Sequence, residues 1–215
     1  EYGLTNRFTL TLNGPLLKSQ SFATTESTYG VGDIGIGAKY GILKGNWPLS
    51  VHVAVEAPLS PENQFARNDV QLIPGVVDQV NLPASDGEWN VRNTIALSHS
   101  WTDKIYSSWY AQYNLRTNNL TDQWQAGMEL GYTFSPAWLL VAKLSTQATI
   151  GDPVEGISFV RGEGVSYTAL GGMLQYQLGD QWSISATVNT YSDWFNSRKN
   201  LYSATVPGIG VAYEW

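Results

Sequence analysis

Polar and apolar side chains alternate along most of this chain, in segments of roughly ten residues separated by turns. The clearest segment is 123–134, where every second residue from Trp124 to Phe134 is apolar or aromatic. The residues between them are glutamine, glycine, glutamate and threonine. Successive side chains of a strand point to opposite faces of its sheet. The alternation therefore predicts strands with one face suited to hydrocarbon and one suited to water.

Ten such segments are predicted as strands. They cover residues 6–12, 29–42, 49–57, 89–101, 105–115, 122–134, 137–150, 165–178, 182–191 and 201–215. Short turns alternate with longer polar stretches between them, a rhythm typical of bacterial outer-membrane barrels. The sequence thus predicts one all-β domain over 1–215, a transmembrane antiparallel up-and-down β-barrel with ten visible strands. Alternatively, Glu1 and Tyr2 end an earlier strand of a twelve-stranded barrel that lacks its N-terminal part here.

Aromatic residues gather beside the predicted short turns. Because Tyr and Trp settle where hydrocarbon meets water, these residues predict a girdle at the periplasmic interface. The girdle residues are Trp47, Trp101, Phe134, Trp138, Trp182 and Trp215. The last segment alternates Ile209, Val211 and Tyr213 before ending on an aromatic residue, which looks like the signal that the outer-membrane assembly machinery recognises. A soluble β-sandwich also alternates in this way and is the alternative fold.

Composition narrows the classes of protein further. The longest purely apolar run, 137–142, is far shorter than the ~20 residues that a membrane-spanning helix needs. The chain carries 12 basic and 18 acidic residues, a net charge of −6, which argues against a nucleic-acid partner. It contains no cysteine, as suits a protein that passes through an oxidising periplasm.

The predicted water-facing side carries charged and polar residues that are candidates for lining the lumen and selecting solutes. These residues are Arg7, His52, Glu56, Arg92, Tyr110, Gln112, Gln125, Glu129 and Lys143. Small barrels also fill their interior with side chains, so an ion-pair network that merely satisfies the interior is an equal alternative. The inward tyrosines, Tyr106, Tyr110 and Tyr191, either stack on an aromatic solute or serve as filler.

We expect no catalytic residue, metal site or cofactor, and therefore no enzyme. His52 and Glu56 would lie about 13 Å apart along one strand, too far for a shared metal ion. His99 and Ser100 resemble part of a hydrolytic dyad, but adjacent strand residues point to opposite faces. The longest loop, 58–88, mixes carboxylates and amides with apolar residues. It is a candidate constriction of the mouth, Ca²⁺ site or docking site, and its composition favours the constriction.

Three stretches carry a resemblance to a known family: EYGLTNRFTL at 1–10, GDIGIGAKY at 32–40 and GIGVAY at 208–213. They are similar to segments of the outer-membrane family named after the meta-pathway of phenol degradation, a set of transporter barrels. The resemblance implies uptake or efflux of small, often hydrophobic compounds. It carries over no catalytic residue.

These features predict a porin-like channel in the outer membrane of Gram-negative bacteria, for small hydrophobic or aromatic solutes. The lumen would be narrow, because eight strands are just filled by their own side chains and diameter grows with strand number. The alternative is a closed barrel that serves as a membrane anchor or docking subunit through its extracellular loops. Expected partners are membrane lipid, a small-molecule solute, the assembly machinery and, through loop 58–88, another protein.

Overall fold

The computed structural model describes residues 1–61, 63–69, 78–153, 163–199, 201 and 205–214. Every regular element in these ranges is a β-strand. In chain order the strands are β1 (Tyr2–Gly3), β2 (Phe8–Asn13), β3 (Lys18–Gln20), β4 (Thr28–Gly30), β5 (Ile34–Leu43), β6 (Leu49–Ala57), β7 (Phe65–Arg67), β8 (Gln79–Asn81), β9 (Asn90–Ser100), β10 (Ile105–Arg116), β11 (Gln123–Ser135), β12 (Trp138–Thr149), β13 (Tyr167–Leu178), β14 (Trp182–Ser192) and β15 (Thr205–Tyr213). Within the described residues, no helix is long and apolar enough to span a membrane.

Eleven strands form one antiparallel sheet in the order β1-β2-β5-β6-β9-β10-β11-β12-β13-β14-β15. Each pairs with the strands that precede and follow it in this order, so the chain runs up and down without a crossover. Among the described residues, β1 pairs only with β2, and β15 pairs only with β14. The other four strands form two small hairpins, β3-β4 and β7-β8, inside the two longest loops. The predicted all-β, up-and-down antiparallel fold is confirmed.

Most predicted strand boundaries agree with the structure to within two residues, and β6 (Leu49–Ala57) has the predicted limits. The predicted strand 29–42 is the main exception, because Thr28–Gly30 pairs with Lys18–Gln20 as a loop hairpin. The chain then turns where the Gly32 amide donates to the carbonyl of Pro15 at 3.0 Å, and the long strand begins only at Ile34. At the edge of the sheet, Tyr2–Gly3 pairs with β2. The alternative interpretation, in which Glu1 and Tyr2 end an earlier strand, predicted a strand here.

The two faces of the sheet differ in both polarity and exposure. One face, called here the apolar face, carries the large hydrophobic side chains and leaves them open: Leu12 is 69% exposed and Ile209 86%. The other, the polar face, carries the charged and amide side chains yet is more crowded, with Thr11 7% and Val141 0% exposed. A face crowded by its own side chains is the concave one. The sheet is therefore inverted relative to a soluble protein, with polar groups inside and apolar groups outside.

Candidate functional site on the polar face

Two tyrosines of β10 lie flat against the polar face because glycines of β11 stand opposite them. Tyr106 pairs in register with Gly131, and Tyr110 with Gly127. A Cβ atom added at Gly131 would lie 1.9 Å from Cε1 of Tyr106, and one added at Gly127 would lie 2.5 Å from Cε1 of Tyr110. Covering a strand glycine with a cross-strand aromatic ring restores the packing that glycine lacks. These rings therefore lie along the wall of the concavity.

Beside Tyr110, the polar face encloses a cavity of about 350 Å³. Its lining includes Ser108, Tyr110, Glu129, Lys143 and Asn189. This volume lies at the lower end of the ~300–1,000 Å³ typical of small-molecule sites. The cavity combines an aromatic ring, hydroxyl and amide groups, and one charge of each sign, so it can contact both the ring and the polar substituent of a small aromatic molecule.

The charged pair in this cavity is loosely held. Glu129 and Lys143 stand directly opposite each other on β11 and β12, with 3.8 Å between Oε2 and Nζ. Both side chains keep about a third or more of their surface exposed. Ion pairs with such exposure contribute only about 0–1 kcal/mol. Either charge is therefore available to a solute at little energetic cost.

A second pair lies on the polar face nearer the end with the long loops. Arg92 of β9 contacts Glu56 of β6, with 2.5 Å between Nη2 and Oε2. Asp33 and Asp86, from the two longest loops, lie close enough to act electrostatically on Glu56. Two further carboxylates thus lie near Glu56, which Arg92 contacts, at this end of the concavity.

The structure places the other predicted lumen residues as follows. His52 shares a 2.9 Å hydrogen bond with the Thr11 hydroxyl. The bond crosses Gly37, which lies on the strand between them and has no side chain in the way. This contact gives His52 a structural role. Gln112 accepts a 3.2 Å hydrogen bond from Thr94, and Gln125 pairs with Gln112 in register. Their roles as selectivity residues stay predictions.

Arg7 precedes β2 and is exposed. Sequence reasoning missed an ion pair in which Lys39 Nζ lies 2.9 Å from Glu1 Oε1. Within the described part of the chain, no group of three or more His, Asp or Glu residues could hold a metal ion. Tyr191 meets Tyr167 edge to face, with ring centroids 5.1 Å apart.

A buried charge cluster at the long-loop end was also missed from sequence. Arg116, the last residue of β10, donates through Nε to Glu88 Oε1 at 2.5 Å and through Nη1 to Glu163 Oε2 at 3.4 Å. All three side chains are at most 2% exposed. Glu163 also accepts hydrogen bonds from the backbone amide and hydroxyl of Thr121. The cluster, called here the rim cluster, joins three loops that are far apart in sequence.

Burial raises the pKa of Glu88 to about 8, against the opposing effect of the Arg116 guanidinium. Since this folded-state pKa lies above the ordinary value of 4.5, the stability that the protonated carboxyl provides is present in acid and is lost as pH rises through about 8. We expect the wild type to lose stability from about pH 4.5 to about pH 8 relative to Glu88→Gln, in unfolding titrations. Exposed Glu26→Gln is the matched control, and a wild-type slope equal to that of Glu88→Gln would contradict the assignment.

The two longest loops hold each other through backbone hydrogen bonds. The Glu26 amide donates to the Arg67 carbonyl at 2.9 Å, and the Asp69 amide donates to the Thr24 carbonyl at 2.8 Å. Ala66, Leu82 and Ala84 form a small buried core between them. In this loop, 62 and 70–77 lie outside the described residues. Ser85 hydrogen-bonds Asp33, which lies close enough to act electrostatically on Glu56. The role of the loop as a constriction stays a prediction.

Aromatic side chains cluster at the short-turn end of the sheet. Trp47 stacks on His99, with ring centroids 4.0 Å apart, and meets Trp101 edge to face at 6.1 Å. Phe134 stacks on Trp138 at 6.1 Å, and Trp182 lies 4.8 Å from Tyr213. His99 is held by a 2.7 Å hydrogen bond between Nδ1 and the Asn46 carbonyl, so it belongs to this aromatic cluster. Trp215 lies outside the described residues.

Comparison with known proteins agrees with the resemblance noted in the sequence. A search of curated proteins gives no match. One protein family, described as "Putative MetA-pathway of phenol degradation", matches residues 2–194. The match covers most of the chain, from β1 through the end of β14. The chain therefore belongs to this phenol-degradation family.

Proposed function

We propose that this chain is a bacterial outer-membrane protein that provides a narrow passage for small hydrophobic or aromatic solutes, without covalent chemistry. The inverted distribution of side chains carries the proposal, with exposed apolar rows outside and ion pairs inside. Soluble monomers rarely expose contiguous apolar patches larger than a few hundred Å². Facing hydrocarbon, the same surface is the favourable one, and the nine strands between β1 and β15 in the sheet order are hydrogen-bonded to a neighbour on both sides.

The distribution of aromatic residues supports an orientation in the membrane. The clusters around Trp47, Phe134 and Trp182 lie at the short-turn end, where outer-membrane barrels face the periplasm. The long loops and the rim cluster would then lie on the extracellular side. The indole and imidazole groups would anchor at headgroup level.

Membership in a phenol-degradation family favours aromatic compounds as solutes. The cavity beside Tyr110 suits such a compound because it offers a ring face together with Lys143 and Asn189 for a hydroxyl or carboxylate substituent. Glu129 and Lys143 would then set charge preference, since a charge lining a narrow pore acts on every solute that passes.

Removing the charge of Glu129 and removing the charge of Lys143 should shift the ion selectivity of the pore in opposite directions. Lys143→Gln leaves Glu129 unpaired and favours cations, whereas Glu129→Gln leaves Lys143 unpaired and favours anions. In water, two unit charges about 4 Å apart interact with an energy of about 1 kcal/mol. This energy corresponds to roughly a fivefold change in the local concentration of a monovalent ion. Reversal potentials in planar bilayers with a salt gradient measure the effect. Lys44→Gln, an exposed lysine of a short turn, is the control.

Folded protein that gives no conductance would overturn the passage and favour a closed barrel that docks partners. The interlocked long loops with their buried Ala66, Leu82 and Ala84 are the feature that supports this second role.

Solute preference has its own measurement: phenol and benzoate should block the current at lower concentrations than acetate or glucose. Equal block by all four compounds would contradict an aromatic preference.

A further inference from the structure

Residues 193–199, which follow β14, lie against the outside of the sheet. The amides of Phe195 and Asn196 donate to the Thr168 hydroxyl at 3.1 and 3.2 Å, and the side-chain amide of Asn196 donates to the Thr146 hydroxyl at 2.7 Å. Thr146 and Thr168 face each other on the apolar face. Residues 193–199, called here the wall segment, therefore cover two hydroxyls that would otherwise face hydrocarbon. The contacts hold the segment against the wall.

Beside the wall segment, the apolar face contains a groove of about 330 Å³. Phe195 closes one side, and Trp109, Met128 and Leu144 form its walls. Ala126, a small side chain among these large ones, also lines the groove. This apolar lining suits a hydrocarbon chain and offers little to a polar solute.

Two cationic residues, Arg198 and Lys199, follow Phe195 within four positions along the chain. Arg198 is only loosely paired, with 3.9 Å between Nη2 and Asp193 Oδ2. Lys199 is exposed, and its backbone pairs with Ser166 at 2.9 and 3.2 Å, just before β13. Trp194 is 71% exposed, as expected for an indole that rests among lipid headgroups. Two positive charges thus lie three and four residues after Phe195, which lines the groove, on a chain whose net charge is −6.

We propose that the wall segment and its groove bind one membrane lipid with an anionic, phosphorylated headgroup. An acyl chain occupies the groove between Phe195 and Met128, and the headgroup phosphate contacts Arg198 and Lys199. Charge complementarity selects this occupant, because an uncharged headgroup gains nothing from the two cations. The inference rests on the membrane placement proposed above.

Native mass spectrometry tests this site on protein reconstituted in an equal mixture of phosphatidylglycerol and phosphatidylcholine and then released from the membrane. We expect wild-type protein to retain phosphatidylglycerol preferentially. The double variant Arg198→Gln/Lys199→Gln should retain roughly tenfold less of it, the loss expected when charge-assisted contacts to a phosphate disappear. Ala126→Leu, which fills the groove, should lower retention as well. Lys44→Gln/Lys104→Gln removes two exposed lysines at the short-turn end and should retain as much as wild type.

Equal retention of both lipids by wild type, or equal losses in the control variant, would overturn the site, because either result describes ordinary lipid around a membrane protein. Loss with Ala126→Leu alone would overturn the phosphate contact. Failure of the membrane placement is distinguishable from these results: the protein would then stay in solution without detergent and would not enter the bilayer at all.

Discussion

Replacing Arg116 with alanine should lower the free energy of unfolding by about 3–5 kcal/mol, the cost of removing one partner from a buried ion pair. Arg116 is the only cation in the rim cluster as described, and the cluster buries Glu88 and Glu163 beside it. Without the guanidinium, the carboxylate of Glu163 loses the opposite charge that Arg116 supplies, although it keeps its hydrogen bonds from Thr121. Urea titration in lipid vesicles, followed by tryptophan fluorescence, measures the change.

Arg67→Ala is the matched control for this substitution, because Arg67 is an exposed arginine of the loops at the same end of the sheet. Substitutions at such exposed positions usually stay within about 0.5 kcal/mol of wild type. A combined Arg116→Met/Glu88→Gln/Glu163→Gln variant should recover part of the loss, since it leaves no buried charge. If Arg116→Ala were as mild as Arg67→Ala, the rim cluster would not be the buried interaction that we describe.

Adding a single methyl group at Gly131 should destabilise the protein by about 1–3 kcal/mol, the usual cost of overpacking. The new Cβ would lie 1.9 Å from Cε1 of Tyr106, so the ring must leave the wall. Gly172→Ala is the matched control on the apolar face, where the nearest atom to an added Cβ is Val188 Cγ1 at 3.8 Å. Unfolding titrations should find that variant equal to wild type or slightly more stable, because alanine restricts the unfolded chain.

A double-mutant cycle separates this clash from other effects of the substitution. Combined with Tyr106→Ala, Gly131→Ala should cost less than the two single losses added together, with a coupling of about 0.5–3 kcal/mol. Simple additivity of the two losses would contradict the contact between the ring and the glycine.

Strand positions and faces could be predicted from sequence because both depend on neighbouring residues only. The alternation from Trp124 to Phe134 is visible in the sequence and reappears in β11 with the expected faces. Once one residue of a strand is assigned to a face, every second residue shares that face, which places Glu129 and Lys143 on the polar side. Resemblance to the phenol-degradation family was likewise present in short local motifs and is confirmed over residues 2–194.

Features that depend on distant contacts could not be predicted in this way. The predicted strand from Tyr29 to Ile42 joined two segments, and the long strand begins only at Ile34, after a turn held by the contact between Gly32 and Pro15. Arg116 lies 28 residues from Glu88 and 47 from Glu163. Each of these residues reads as an ordinary polar loop position, and only the fold brings their charges together.

The exposure of the apolar face to hydrocarbon is the central claim, and spin labels along β11 test it most directly. The chain contains no cysteine, so single cysteines at non-glycine positions from 124 to 134 can each carry one label in reconstituted protein. We predict a period of two: labels at Met128 and Leu130 relax with oxygen dissolved in lipid, and labels at Gln125 and Glu129 relax with a water-soluble nickel complex. Labels at Met128 and Leu130 that are shielded from both reagents would show an internal protein core and contradict the account.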